Sequence, residues 1–466
     1  MVVLAPFVSW ILQCPVVEKI MNKKRGTKME NIIPKRIANI VMNALKGGVV
    51  PRVGLEYITV GRTQEINALL HDIDIIADGG ATFRFIVGRY GSGKSFLLQT
   101  IRNYATAKGF VVVDADLSPE RRFSGVKGQG LATYRELIRN MSVKSKPDGG
   151  ALPLILEKWI SGVQAELAQE YPVGSPEFNV NVEKQIYAVT HQLEGMVNGF
   201  EFAKAIITYW RAYQRDDQET KSSVLKWFRG EFTSKKEAKE ILDINWIVTD
   251  DTWYDFLKIF AAFMVSAGYQ GILVMVDELV NIYKIPHSVS RHNNYEKLLT
   301  MYNDTLQGKA KHIGFIMGCT PQCIEDRYRG IYSYEALRSR LAEGHFATEE
   351  VKDLSAPIIR LQMLSQEEVY ILVEKLRDIH GLLYQYEPTL THEDLVYFLE
   401  VEYNRVGADS HITPREIIRD FIELVGIIHQ NPQMRVADIL GNNSFQMAKG
   451  GLTDEEIHED FVGFEI

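Results

Sequence analysis

Residues 88–95 of this chain read Gly-Arg-Tyr-Gly-Ser-Gly-Lys-Ser, which matches the pattern G-x-x-x-x-G-K-[ST]. A triphosphate needs backbone N–H groups presented by a turn without Cβ clashes, and it favours the positive end of a helix dipole. A loop of this kind therefore connects the end of a strand to the start of a helix. The alternative is a glycine-rich turn that matches by chance, and the predicted strand and helix around it argue against that.

The pattern assigns roles within the loop. Lys94 is expected to reach the β- and γ-phosphates of ATP, and the Ser95 hydroxyl is expected to ligate Mg²⁺. The predicted nucleotide-binding residues of the loop are Gly88, Arg89, Tyr90, Gly91, Ser92, Gly93, Lys94, Ser95 and Phe96.

Short apolar runs alternate with helical patterns on both sides of this loop. Buried strands are expected at 82–87, 110–113, 272–276 and 313–317, with helices between them. Strands separated by helices imply βαβ units. The sequence therefore predicts an α/β fold with a doubly wound parallel sheet, and no strand after about residue 355.

The strand at 272–276 ends in two acidic residues, Asp277 and Glu278. The carboxyl ends of parallel strands are where doubly wound sheets bind ligands. Asp277 is expected to hold Mg²⁺, mostly through water, and Glu278 is expected to polarise the attacking water. Two acids that simply cap a strand are the alternative. A protein that only binds nucleotide has little need for the second acid, so the pair favours hydrolysis.

Weaker signals point to the same site. Thr320 follows the last predicted strand and is expected near the γ-phosphate or the water, unless it is a routine strand-end residue. Arg340 is expected to reach the γ-phosphate of a neighbouring subunit, rather than to be a solvated helix charge. Arg415 begins a helix that can fold back onto the phosphates. Upstream, Val60, Gly61 and Arg62 either pack on the adenine or form a plain helix start.

The order of predicted strands and helices along the chain suggests several domains and extensions. Residues 1–28 form an N-terminal extension that is either a weak membrane anchor or an over-extended reading frame that starts naturally at Met29. Residues 29–355 form the ATPase core, with a helical insertion at about 141–250. Residues 356–430 form a helical lid, and 431–466 form a C-terminal extension. The insertion is either a self-packed helical subdomain or a docking place for a partner or DNA.

The amino-acid composition limits the kind of nucleic-acid binding and the cellular location that we expect. The chain has 52 basic and 60 acidic residues and a net charge of −8, which argues against a histone-like coat on nucleic acid but not against a local basic groove. Three cysteines are too few for a disulfide scaffold and favour a reducing, cytoplasmic location.

The order of the motifs resembles AAA+ ATPases of the origin-recognition and helicase-loader branch. Four stretches (33–37, 88–95, 116–121 and 334–341) are similar to the ATP-binding proteins of BREX phage-defence systems. The resemblance implies ATP and Mg²⁺ as cofactors, a homo-oligomer with Arg340 acting between subunits, and work on DNA beside a helicase or methyltransferase. An ATP-dependent signalling switch that recruits an effector is the alternative function, and a nucleotide-dependent scaffold is a third.

Overall fold

The computed structural model describes residues 33–194, 199–342, 353–404 and 413–441. At its centre lies a five-stranded sheet in which all neighbouring strands are parallel. The strands are β1 (Ala81–Gly88), β2 (Val111–Asp116), β3 (Ile272–Asp277), β4 (Ile313–Cys319) and β5 (Ile358–Leu361). They pair in the order β2-β3-β4-β1-β5. The predicted α/β class with a doubly wound parallel sheet is confirmed.

The expectation that no strand follows residue 355 is wrong. β5 pairs in parallel with the last four residues of β1, Phe85–Gly88. It has only four residues and lies at the edge of the sheet, and a run this short carries no clear periodic signal.

Helices cover both faces of the sheet. Successive side chains of a strand point to opposite faces, and the apolar side chains on each face are buried by helices. Ile86 of β1 packs with the helices at 63–77 and 94–107, whereas Phe85 and Val87 belong to the larger core on the opposite face. The helices are α1 (Lys35–Lys46), α2 (Leu55–Ile58), α3 (Thr63–Ala77), α4 (Lys94–Ala107), α5 (Gln129–Arg139), α6 (Leu152–Leu167), α7 (Pro176–Glu194), α8 (Gly199–Gln214), α9 (Gln218–Phe228), α10 (Lys235–Leu242), α11 (Trp253–Ser266), α12 (Val280–Tyr283), α13 (Ser288–Leu306), α14 (Pro321–Glu325), α15 (Glu335–Leu341), α16 (Gln366–Tyr384), α17 (His392–Tyr403), α18 (Pro414–Gln430) and α19 (Val436–Leu440).

The segment between β2 and β3 contains the predicted insertion, in which the structure describes helices α6 to α10. Its aromatic residues Trp159, Trp210 and Trp227 are buried and belong to the same core as the sheet. The insertion therefore shares the hydrophobic core of the sheet and does not enclose a separate core of its own, and its role as a docking place stays a prediction.

The C-terminal helices form a second core, and α1 and α2 pack into it rather than onto the sheet. Three helices of this core begin with the same local motif. Ser365, Thr391 and Thr413 each form a capping box with an acidic residue three positions later, which fixes the first turns of α16, α17 and α18. The boundaries of the predicted domains stay predictions.

In the described parts of the chain, no helix is both long enough and apolar enough to cross a membrane. The predicted N-terminal extension at 1–28 and most of the C-terminal extension, from residue 442 onward, lie outside the described residues.

Candidate functional site

The glycine-rich loop joins β1 to α4, as the motif requires. Gly93 caps α4 with a φ of 86°, in the left-handed region that favours glycine. Gly91, at a φ of 78°, lies against the C-terminal helices, and a Cβ there would come within 2.6 Å of Thr413 Cβ. Both glycines are therefore needed for the loop to turn and to approach the lid.

The two residues after the last glycine point to different places: Lys94 folds back over the loop, and Ser95 reaches β3. The Lys94 ammonium donates hydrogen bonds to Gly88 O at 2.8 Å and to Arg89 O at 3.1 Å, so it lies over the loop. The Ser95 hydroxyl donates to Asp277 Oδ2 at 3.1 Å, although 182 residues separate the two in sequence. The two strongest sequence signals thus meet in space.

The acid pair lies at the carboxyl end of β3. Asp277 Oδ1 accepts a hydrogen bond from Glu278 N at 2.9 Å, and Glu278 has a φ of 61°, which is uncommon for a residue with a side chain. Burial, together with the nearby Asp277 charge, raises the pKa of Glu278, and Lys94 lowers it in part. Asp116 pairs in register with Asp277, and burial and that charge raise its pKa too.

The chemistry of these donors fits Mg²⁺. A hydroxyl and a carboxylate within hydrogen-bond distance are the hard oxygen ligands that this ion prefers. Asp116 and Glu278 increase the negative charge beside these two residues. Burial is the main cause of their raised pKa values and repulsion from Asp277 adds to it, and a bound cation would relieve that repulsion. Ser95 and Asp277 are therefore the residues that could hold the metal.

A cavity of about 230 Å³ opens beside the loop. Of the predicted residues, Val60, Arg62, Tyr90, Gly91, Ser92, Gly93, Lys94, Ser95, Phe96, Asp277, Glu278 and Arg415 line it, whereas Gly61, Gly88, Arg89, Thr320 and Arg340 do not.

Sequence reasoning missed the apolar wall of this cavity. Its side chains come from α1 and the loop after it, from α2, and from the C-terminal helices, which are far apart in the sequence. No local pattern identifies them, and only the packing of α1 and α2 into the C-terminal core brings them together. The residues are Leu45, Gly48, Val49, Val50, Ile58, Leu364, Leu372, Pro414 and Ile418.

Arg62 ties the loop to the segment after β5. Its guanidinium donates to Ser92 O at 3.0 Å and also to Gln362 O, and burial lowers its pKa despite the nearby carboxylates. Gly61 has a φ of +64°, and a Cβ on it would come within 2.3 Å of Glu368 Oε1. Gly61 and Arg62 thus connect the loop to the residues after β5 and support one wall of the cavity.

Arg415 lies in the first turn of α18 and lines the cavity. It donates a hydrogen bond to the Tyr90 hydroxyl at 2.9 Å, and Tyr90 belongs to the glycine-rich loop. The contact connects α18 to the loop, and it places the guanidinium at the rim of the same cavity as Lys94.

Thr320 and Arg340 lie outside the cavity of their own chain. The Thr320 hydroxyl accepts a hydrogen bond from Cys323 N at 3.4 Å and caps α14. The Arg340 guanidinium is exposed and donates to Asn303 Oδ1 at 3.0 Å and to Ala336 O at 2.8 Å. Their catalytic roles stay predictions.

Gly318 of β4 offers a test of the metal-ligand pair. A Cβ at this position would lie 2.1 Å from Asp277 Oδ1, so Gly318→Ala must displace the carboxylate. We expect the affinity of the site for Mn²⁺, measured by paramagnetic resonance, to fall about tenfold. Gly426→Ala is the control, because a Cβ there meets nothing within 4 Å. Equal Mn²⁺ affinity in the two variants would exclude Asp277 as a metal ligand.

The parallel sheet and the glycine-rich loop between β1 and α4 define a P-loop nucleotide-binding protein. Residues 33–444 match the family model described as BREX system ATP-binding protein BrxC/D, and the chain therefore belongs to that family. This membership supports an ATP-binding role in phage defence.

The chain was also compared with solved structures and with curated proteins. The solved structure of the Aeropyrum pernix ORC2 protein, in ADPNP–ADP complexes, is similar with 13% sequence identity and a TM-score of 0.33. The match covers 83% of this chain and 65% of that one. A comparison with curated proteins finds no match.

Proposed function

We propose that this protein binds Mg-ATP in the cavity beside the glycine-rich loop and hydrolyses it. The observation that carries the proposal is the 3.1 Å hydrogen bond between the Ser95 hydroxyl and Asp277, with Lys94 and Glu278 lining the same cavity. Phosphoryl transfer to water requires a phosphate-binding loop, metal ligands and a further carboxylate, and all three lie on this one cavity.

Each residue has a distinct part in the proposed reaction. Lys94 binds the β- and γ-phosphates, and Ser95 and Asp277 hold Mg²⁺, which neutralises phosphate charge when bound. Glu278 orients the attacking water and takes up its proton, a role that suits a carboxylate whose pKa is raised. Arg415 leaves the Tyr90 hydroxyl to contact the phosphates. The apolar wall of the cavity holds the base.

The proposal extends to the assembly. Arg340 is exposed on α15 and lies outside its own cavity, so any contact it makes with the γ-phosphate belongs to a neighbouring copy. We therefore propose a homo-oligomer with nucleotide between subunits and with Thr320 near the γ-phosphate. In phage defence this oligomer would work on DNA with a helicase or a methyltransferase.

Phosphate release from ATP tests the reaction. Lys94→Ala is expected to lower nucleotide affinity about ten- to a hundredfold, because a charged hydrogen-bond donor is lost, and to reduce hydrolysis to background. Lys108→Ala is the matched control, since Lys108 follows the end of the same helix and pairs with Asp74 at the surface. A Lys94→Ala protein that hydrolyses ATP as the control does would overturn the proposal.

A signalling switch is the second candidate function, because it would use the same loop and acid pair. The two functions differ in their response to DNA. Hydrolysis stimulated by DNA favours the first, whereas turnover that ignores DNA and retains nucleotide tightly favours the switch. The assay above, repeated with and without DNA, separates them.

A further inference from the structure

Three loop segments after the carboxyl ends of neighbouring strands carry an unusual charge. The first, residues 121–128, follows β2. The second, 283–292, runs from the end of α12, after β3, into the first turns of α13, and the third, 326–334, follows β4 and α14. Together they contain seven lysines and arginines, of which Arg291 is buried, and one acidic residue, in a chain whose net charge is −8. We refer to these segments as the basic loop surface.

The start of α13 brings the three segments together. The Asn294 carboxamide oxygen accepts hydrogen bonds from two backbone N–H groups of the first segment at 2.8 and 3.0 Å. The second segment continues into α13 itself and is held by a hydrogen bond from Arg291 to Ile285 O at 2.7 Å, and the Tyr295 hydroxyl donates to a carbonyl of the third segment at 2.6 Å. Buried groups on adjacent turns of one helix therefore hold the three loops as neighbours.

The exposed side chains of this surface combine positive charge with an aromatic ring. Tyr328 is 88% exposed and stands between Arg327 and Arg329 in the sequence, and Lys127 is exposed at the tip of the first segment. In the described residues, neither Lys127 nor Arg327 has a carboxylate partner in an ion pair. Proteins bind single-stranded nucleic acid with two kinds of group: cations that contact the phosphates, and aromatic rings that stack on the bases.

We propose that the basic loop surface binds a DNA strand with unpaired bases. Lys127 and Arg327 contact its phosphates, and Tyr328 stacks on a base. This inference rests on the proposed function, since it names the part of the molecule through which the ATPase contacts DNA.

The first segment is also connected to the acid pair. Leu117, just before it, donates its N–H to Asp277 O at 3.1 Å. The Asn281 carboxamide donates to Leu117 O at 2.9 Å and to Glu278 O at 3.3 Å. A bound DNA strand that moves this segment would also move Glu278 through these hydrogen bonds. DNA binding at the basic loop surface therefore stimulates ATP hydrolysis.

Binding of a fluorescein-labelled oligothymidylate by the full chain, measured by anisotropy at two salt concentrations, tests the inference. We expect Lys127→Ala combined with Arg327→Ala to weaken binding at least tenfold. The slope of log affinity against log salt should fall by about 1.4, since each lost contact removes about 0.7 for a single strand. Tyr328→Ala should weaken binding about tenfold with an unchanged slope, because stacking carries no charge.

The matched control is Lys235→Ala combined with Lys236→Ala, which removes two exposed charges from α10 of the insertion. It should bind within twofold of the unchanged protein. Equal losses in the two double variants, no oligothymidylate binding at all, or equally tight binding of blunt duplex would each overturn the inference.

Hydrolysis separates this inference from the proposed function. The Lys127 and Arg327 double variant should keep its DNA-independent hydrolysis and lose stimulation by oligothymidylate. If hydrolysis is absent in every protein while oligothymidylate binding follows the expected pattern, the proposed function fails and the DNA surface stands. Retained stimulation in the double variant contradicts the surface alone.

Discussion

Glu278→Gln is expected to lower the rate of ATP hydrolysis by about 10²- to 10⁴-fold while nucleotide binding persists. The amide keeps the shape of the side chain but cannot take a proton from water. The hydrogen bond from Glu278 N to Asp277 Oδ1 involves the backbone and is retained, so the metal ligand keeps its position. Removing one of three crowded carboxylates should leave affinity for the anionic nucleotide equal or higher.

Two measurements check this expectation: single-turnover phosphate release, and the affinity for a fluorescent ATP analogue. Glu296→Gln, an exposed position on α13, is the matched control and should behave as the unchanged protein does. Hydrolysis within threefold of the control would remove Glu278 from the reaction and would favour a nucleotide-dependent scaffold. A loss of binding equal to the loss of rate would mean that the carboxylate serves structure rather than catalysis.

Arg340→Ala is expected to lower hydrolysis about a thousandfold, and mixing it with Glu278→Gln should restore activity. An arginine supplied by a neighbour stabilises charge that develops in the transition state. In a random equal mixture, about one quarter of the interfaces pair an intact cavity with an intact arginine, so about one quarter of the original rate should return. Neither variant alone can show this recovery.

Arg338→Ala is the control for this experiment. Arg338 lies two residues away on the same helix, so it points to a different side, and it pairs weakly with Glu335 at 3.8 Å. Its activity should stay within a few-fold of the unchanged protein. Activity that rises strictly linearly with protein concentration, is insensitive to Arg340→Ala and shows no recovery on mixing would contradict a shared site.

The sequence predicts those parts of the structure that local rules determine. α4 begins at Lys94, as the motif predicts, because a loop of this kind leads into the start of a helix. The capping boxes at Ser365, Thr391 and Thr413 form because their partners lie one turn away. The meeting of Ser95 and Asp277 was also predictable, since both follow the carboxyl ends of parallel strands.

Other parts depend on contacts between distant segments. The apolar wall of the cavity needs α1 to pack against the C-terminal helices, and nothing near Leu45 or Val50 in the sequence signals that partner. The bond from Arg62 to the segment after β5 spans 300 residues. The nearness of the three basic loops likewise depends on buried side chains at the start of α13.

The most direct test of the central claim is a crystal structure of the full chain with Mn²⁺ and a non-hydrolysable ATP analogue. We predict one anomalous metal peak between the Ser95 hydroxyl and Asp277, with the Lys94 ammonium on the terminal phosphates and the base against the apolar wall. A nucleotide bound elsewhere, or a metal peak that neither Ser95 nor Asp277 approaches directly or through one water, would contradict the account.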